Sequence, residues 1–362
     1  MKFLVIAGTQ FFYLCGAVDL PPVLIPMLSA KKPDVFTPFG HVQLGKRRFK
    51  MLFDTADYQS WVVGKDCHRC PSSGIKPFEP PNREVSMYQF RPLPQKLDYG
   101  DSTSVTCDWF EHDMSIGALG GQTAICVAKE VVGDILRHYD GSVGFGSPYS
   151  HGWQIFQPLL TKLKEKIITF YWDPSKQSTD DILGQIGFGK VKPGFQFTST
   201  KSSNDWRSEL LSFSIGSSSL GNGVDAVFDT ASGRSEFTSK MLRAIIDAYS
   251  ATEEPRVNGF VVNCDDISTL PIITISLSEV DLRVKGEYIV QEQNVGDTRF
   301  CRINIHLSEK ETEILIGVDI LRHHHVAFDF STKKIGFADP SRKKRKDNQT
   351  SSGSAPKIVR NE

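Results

Sequence analysis

Met51-Leu52-Phe53-Asp54-Thr55-Ala56 recurs far downstream as Ala226-Val227-Phe228-Asp229-Thr230-Ala231-Ser232. In each copy an apolar run stops abruptly on an acid, the pattern of a buried strand that delivers a carboxylate to its end. A buried carboxylate is costly unless it is paired or used in chemistry, so two at matching positions are expected to meet. Two carboxylates in one site do not both ionise easily, which makes one an acid and the other a base. The competing explanation, two helix caps or turns after unrelated strands, fails to account for the order of the segments around them.

Around the first copy, alternation predicts strands over residues 39–45, 49–53 and 61–63, the last carrying Trp61. Residues 71–94 are proline-laden and read as a loop. Leu97-Asp98-Tyr99-Gly100-Asp101-Ser102 forms a turn-like element that residues 105–116 complete as a hairpin. Asp140-Gly141-Ser142-Val143-Gly144-Phe145-Gly146 alternates small and apolar residues, as expected where another backbone approaches closely. A helix is predicted over 157–165, then strands over 169–172 and 185–189.

The second half repeats the plot. Its acid loop is followed by a helix over 239–249, with Met241, Leu242, Ile245, Ile246 and Tyr249 on one face. Strands are predicted over 259–263, 272–277, 288–291, 313–317, 326–330 and 335–338. In both halves an Asp-Thr-Ala strand is followed by an apolar pair ending in Gly, Val143-Gly144 and Ile316-Gly317, which marks an internal duplication of mostly β structure. The divisions are a leader at 1–17, a short Pro-rich linker at 18–33, lobes at 34–197 and 210–340, a polar crossing at 198–209, and a basic, Ser-rich disordered tail at 341–362.

A chain of 362 residues accommodates two such lobes. Its 42 Lys and Arg balance 42 Asp and Glu, so bulk charge gives no reason to expect nucleic acid as a partner. Lys2 and the apolar run that follows it read as a secretory signal, too short and interrupted for a membrane span. Cys15 falls in that leader. Cys67, Cys70, Cys107, Cys126, Cys264 and Cys301 in an exported chain imply disulfides, whose connectivity the sequence leaves open. Pairing sequence neighbours, Cys67–Cys70, Cys107–Cys126 and Cys264–Cys301, keeps each bridge within one half and is the working expectation. No second Cys-x-x-Cys accompanies Cys67 and Cys70 to complete a zinc site. His323-His324-His325 leads into a strand whose alternation separates neighbours, so a structural role is expected and no metal site. Asn348-Gln349-Thr350 is a glycosylation sequon in the tail.

Over about residues 36–340 the pattern resembles the pepsin and cathepsin D family of aspartic proteinases. Asp54 and Asp229 match its two catalytic acids, and Val143-Gly144 and Ile316-Gly317 match the segments that cross beneath them. Tyr99-Gly100 resembles the tip of the family's flap, whose tyrosine pairs with a tryptophan matched by Trp61. Cys264 with Cys301 and the short Cys67 loop sit where family disulfides sit. The resemblance implies a mostly β, bilobal fold of two pseudo-symmetric lobes with a peptide- or protein-binding cleft between them. It also implies a monomeric, secreted or lysosomal endopeptidase that works at acidic pH with no metal or organic cofactor. One carboxylate would take a proton from a water held between Asp54 and Asp229, while the other, protonated, polarises the peptide carbonyl and later protonates the leaving amine.

Three departures from the family bear on activity. Both loops read Asp-Thr-Ala where the family has Asp-Thr-Gly, so Ala56 and Ala231 keep the N–H donors but add methyl groups. An unusual φ there would cost roughly 1 kcal/mol per site, and a displacement of about 1 Å about 10²-fold in rate. Asp57 replaces a serine that donates to the first acid, and its side chain is expected to turn to solvent, whereas Ser232 keeps a hydroxyl at the corresponding place in the second loop. Of the family's basic prosegment only Ala30-Lys31-Lys32 remains. These departures motivate the alternative function, a weak or inactive relative that binds peptides or a partner in its cleft.

Overall fold

The computed structural model describes residues 20–30, 36–70, 74–80, 95–99, 103–133, 139–147, 157–201, 205–221 and 223–340. The leader, the tail with its sequon, Lys31-Lys32, Gly100 and most of the 71–94 loop lie outside them. The described residues form three sheets, of thirteen, eight and four strands.

The thirteen-stranded sheet is organised around Arg47–Asp54, whose exposed–buried alternation gives way to four successive buried residues as it enters the core. Phe39–Leu44 pairs antiparallel on one side, and Gly141–Gly144 runs parallel on the other, with Asp54 opposite Gly144. Trp61–His68, Leu119–Val132, Ser104–Ile116 and Gln95–Asp98 extend the sheet outward. In the eight-stranded sheet Val224–Phe228 holds the equivalent place, parallel to Glu313–Ile316 with Phe228 opposite Ile316. Each acid therefore leaves the end of a strand flanked by a parallel neighbour, and the two arrangements match.

The expected helix over 239–249 is Ser239–Ala248, capped by the Thr238 hydroxyl, with Met241 and Ile245 buried. The other predicted helix is one turn, Gln157–Leu160. Its extension is lost because Lys162 gives its carbonyl to the Leu20 N–H and Leu163 bridges to Leu20. The predicted strand at 288–291 begins later, since Gly286–Ile289 makes a helical turn before the strand Val290–Val295.

Residues 18–33 are not simply a linker. Val23–Leu28 is a strand in register with Ile182–Phe188, burying Val23, Ile25 and Met27 and exposing Leu24 and Pro26. Its alternation satisfies a strand despite Pro26, because it pairs along its length with only one neighbour and meets Phe39 only at Leu28. The closing hairpin, His325–Asp329 with Lys334–Ala338, joins the thirteen-stranded sheet through Ile167–Trp172 rather than the sheet of its own half. The chain moves from Gln196–Ser199 in one sheet to Arg207–Ile215 in the other.

All three expected cysteine pairs are bonded: Cys67–Cys70, Cys107–Cys126 and Cys264–Cys301, with Cα separations of 5.7, 5.5 and 5.2 Å. Cys107–Cys126 ties adjacent strands inside a buried cluster with Trp61, Leu97, Val105 and Val131, against which Tyr99 packs. No helix among the described residues is long and apolar enough to cross a membrane.

Candidate active site

The two Asp-Thr-Ala turns face each other and are bolted together by their threonines. Thr55 Oγ1 donates to the Phe228 carbonyl (2.9 Å) and Thr230 Oγ1 to the Phe53 carbonyl (2.6 Å). In return the Thr55 N–H donates to Thr230 Oγ1 (3.2 Å) and the Thr230 N–H to Thr55 Oγ1 (3.0 Å). Both threonines are fully buried, so each hydroxyl satisfies backbone groups that water does not reach.

This junction fixes the acids above it. Asp54 Oδ1 accepts the N–H groups of Ala56 (2.8 Å) and Asp57 (3.0 Å). Asp229 Oδ1 accepts those of Ala231 (2.7 Å) and Ser232 (3.2 Å). One oxygen of each carboxylate is thereby committed to its own turn. Burial, followed by the charges of Asp229 and Asp57, raises Asp54 well above the ordinary carboxylate range, against the pull of its two N–H donors. Burial lifts Asp229 to about 6, with its own N–H donors opposing and the charges of Asp57 and Glu236 adding. Such a pair retains a proton where isolated acids have lost theirs, and so supplies a base and an acid in one place.

The alanines are accommodated. Neither lies at positive φ, so the strain considered above is absent. The Ala231 methyl packs on a small cluster of Phe39, Leu52 and Tyr139 from the other half. Asp57 does not turn to solvent. Its half-buried carboxylate accepts the Gln59 N–H (3.0 Å), and burial raises it above the ordinary carboxylate range; the Tyr99 hydroxyl accepts the Trp61 indole N–H (2.7 Å). Ser232 keeps its hydroxyl but aims it at the Arg234 carbonyl (2.7 Å), so that it gives Asp229 only its backbone N–H.

Two further pairs escaped the sequence reasoning. Ser60 Oγ accepts the Gly144 N–H (3.1 Å) and Ser235 Oγ accepts the Gly317 N–H (2.9 Å), pinning each turn to the Gly segment beneath it. The signal was present: a serine stands six residues after each acid. Glycine is required at both crossings, since a Cβ would lie 2.6 Å from the Gln59 backbone at Gly144 and 2.4 Å from the Arg234 carbonyl at Gly317. Buried Asp319 was also missed; it holds the Ser235 hydroxyl (2.5 Å) and N–H (3.0 Å). Among the described residues no group of three or more His, Cys, Asp or Glu side chains converges as a metal site.

A family model for eukaryotic aspartyl proteases matches residues 38–340. Relatives include Renin-2 of Mus musculus, 25% identical over 83% of this chain and 79% of its own. Pepsin B of Canis lupus familiaris is 24% identical over 83% of this chain and 80% of its own, and gastricsin of Callithrix jacchus 23% over the same shares.

Proposed function

Since the chain belongs to the eukaryotic aspartyl protease family, we propose that it is an endopeptidase whose catalytic residues are Asp54 and Asp229. Water between the two carboxylates attacks the peptide carbonyl at acidic pH. The ionised carboxylate accepts a proton from that water as its oxygen bonds to the carbonyl carbon. The protonated one stabilises the carbonyl oxygen, and the leaving nitrogen is protonated as the C–N bond breaks. The observation that carries this proposal is the matched anchoring of both acids on turns that the Thr55–Thr230 junction locks together. Thr55, Ala56, Thr230, Ala231 and Ser232 frame the pair, Tyr99 covers it, and a peptide or protein lies in the cleft between the lobes. We further propose that the protein acts as a monomer after export, in secretion or in a lysosome.

A second reading rests on a specific observation: neither Asp57 nor Ser232 gives a side-chain hydroxyl to the acid beside it. That reading makes the protein a weak or silent binder of peptides or a partner. Digestion of an unstructured protein at acidic pH separates the two, with and without an inhibitor that mimics the tetrahedral intermediate. The expected result is inhibitor-sensitive cleavage that Asp54→Asn and Asp229→Asn abolish. Cleavage that survives both substitutions, or an inert parent protein, overturns the proposal.

A further inference from the structure

The side chain of Arg234 has no part in the proposed chemistry, yet Arg234 follows the second acid by five residues and is exposed. Its backbone is two hydrogen bonds from Asp229. The Ser232 N–H donates to Asp229 Oδ1 (3.2 Å), and the Ser232 hydroxyl donates to the Arg234 carbonyl (2.7 Å). The guanidinium donates from Nη1 to His306 Nε2 (3.0 Å), which must accept because arginine only donates. Among the described residues this is the one hydrogen bond or ion pair of that side chain. Arg207, Arg256 and Arg299, by contrast, each grip a carboxylate. Arg234 therefore keeps its full charge and most of its fork of N–H donors for an incoming group.

The sheet shows where this fork stands. The Asp229 N–H still pairs with the Ile316 carbonyl (3.1 Å), so Asp229 continues the strand Val224–Phe228 and by alternation projects to the same side as Val227. Across the sheet Val227 lies opposite Leu315, Leu315 opposite Glu236, and Glu236 opposite His306. Leu315, Glu236 and His306 are half-buried on this face, whereas Ile316, Ser235, Phe237 and Ile305 are buried on the other. With strands about 4.8 Å apart, the row is a shelf that runs roughly 10–15 Å from the strand of the second acid to the anchor of Arg234. An extended peptide advances about 3.3 Å per residue. One cleaved at the acids thus brings a side chain roughly two to four residues from the cut within reach of Arg234.

We propose that Arg234, held in place by His306, is a specificity-determining residue that receives an acidic side chain of the substrate near the scissile bond. This deepens, and rests on, the assignment of Asp54 and Asp229 as a peptide-cleaving pair. The recognition is the paired, charge-assisted hydrogen bonding of a guanidinium with a carboxylate. Glu236, the carboxylate already on the shelf, forms no ion pair with Arg234 among the described residues. Burial, then the charge of Glu309, raises Glu236 above the ordinary carboxylate range against the pull of Arg234. In acid it therefore loses its charge before a substrate Asp or Glu does. Burial, then Arg234 and Arg302, lowers His306, which favours the neutral ring that accepts from Arg234.

The test uses the full chain and peptides that differ only by Glu, Gln or Lys at one position, moved in turn along both sides of the cleaved bond. At acidic pH the parent is expected to show, at one such position, about tenfold higher kcat/KM for Glu than for Gln, with Lys lowest. Arg234→Gln is expected to bring the Glu-to-Gln ratio close to one, and His306→Leu to lower it part of the way. The ratio is the readout, because damage to the acid pair slows both peptides alike. The same series is made with a hydroxyethylene unit in place of the scissile amide, and its binding is measured by titration calorimetry. A parent ratio near one at every position, or a ratio that survives Arg234→Gln, overturns the role of Arg234. A parent that cleaves no peptide but binds the Glu analogue about tenfold more tightly than the Gln analogue, and loses that difference in Arg234→Gln, overturns the endopeptidase assignment and leaves the subsite standing. A parent that neither cleaves nor binds any of the series overturns both.

Discussion

Ala56 and Ala231 show how a residue that breaks a family pattern is absorbed. Glycine matters where φ is positive or where a Cβ meets backbone, and neither alanine sits at positive φ. What the turns need from these positions is the N–H to each acid, which alanine retains at 2.8 and 2.7 Å. The Ala231 methyl has moreover become part of the packing between halves, against Phe39, Leu52 and Tyr139. Ala231→Gly is therefore expected to lower stability by about 0.5–1 kcal/mol, through lost burial and added backbone freedom. Urea denaturation at pH 6 measures it, and a gain in stability would show that the methyl is strained after all. The positions of the acids were legible in the sequence because the repeat states them twice. The orientation of Asp57 was not. A carboxylate beside two others is expected to seek water, and only the fold reveals that its own turn brings it the Gln59 N–H to accept.

Among elements, the two parallel crossings do the positioning. Val143-Gly144 and Ile316-Gly317 were readable as close approaches because small and apolar residues alternate there. The contacts that make the glycines obligatory, to Gln59 and Arg234, come from turns remote in sequence. Gly317→Ala is expected to cost about 1–3 kcal/mol or more, since the methyl meets a carbonyl rather than a movable side chain. A drop in the thermal midpoint of several degrees checks it. Thr230→Val keeps the volume but leaves the Phe53 carbonyl and the Thr55 N–H without their partner. The expected loss is about 2–4 kcal/mol, with a fall in turnover of about 10²-fold from displaced acids. A variant as stable and active as the parent would mean that the junction is held elsewhere. Elements built from long-range pairing were hardest to foresee. Val23–Leu28 becomes a strand, and residues 161–165 leave their helix, because partners more than a hundred residues away claim them.

For the molecule as a whole, the balance of charge with pH is set by groups pulling in opposite senses. His323 stacks on Tyr288 at 3.5 Å between ring centroids, and burial holds it and His324 neutral, to about 3 and about 4. The unfolded chain takes protons there that the folded one refuses, so this contribution falls as pH drops from 6.5 towards 3. Asp229 and Asp319, lifted to about 6 by burial, do the reverse. The folded state keeps their protons, and stability is lost as pH rises from about 4 through 6. His323→Phe keeps the stacking and removes one titrating group. Relative to the parent it is expected to gain on the order of 1–2 kcal/mol at pH 4.5 compared with pH 7, after allowing for partial exposure. Urea midpoints at the two pH values measure it, and a difference independent of pH would clear the histidine of any part in acid sensitivity. The Thr55–Thr230 junction carries one more consequence, for the moment of synthesis. The first acid is translated long before its counterpart, and its turn lacks the Phe228 and Thr230 partners until the second half has been made and folded. In a nascent or truncated chain the two acids are therefore not yet held opposite each other, and the pair is completed only at the last act of assembly.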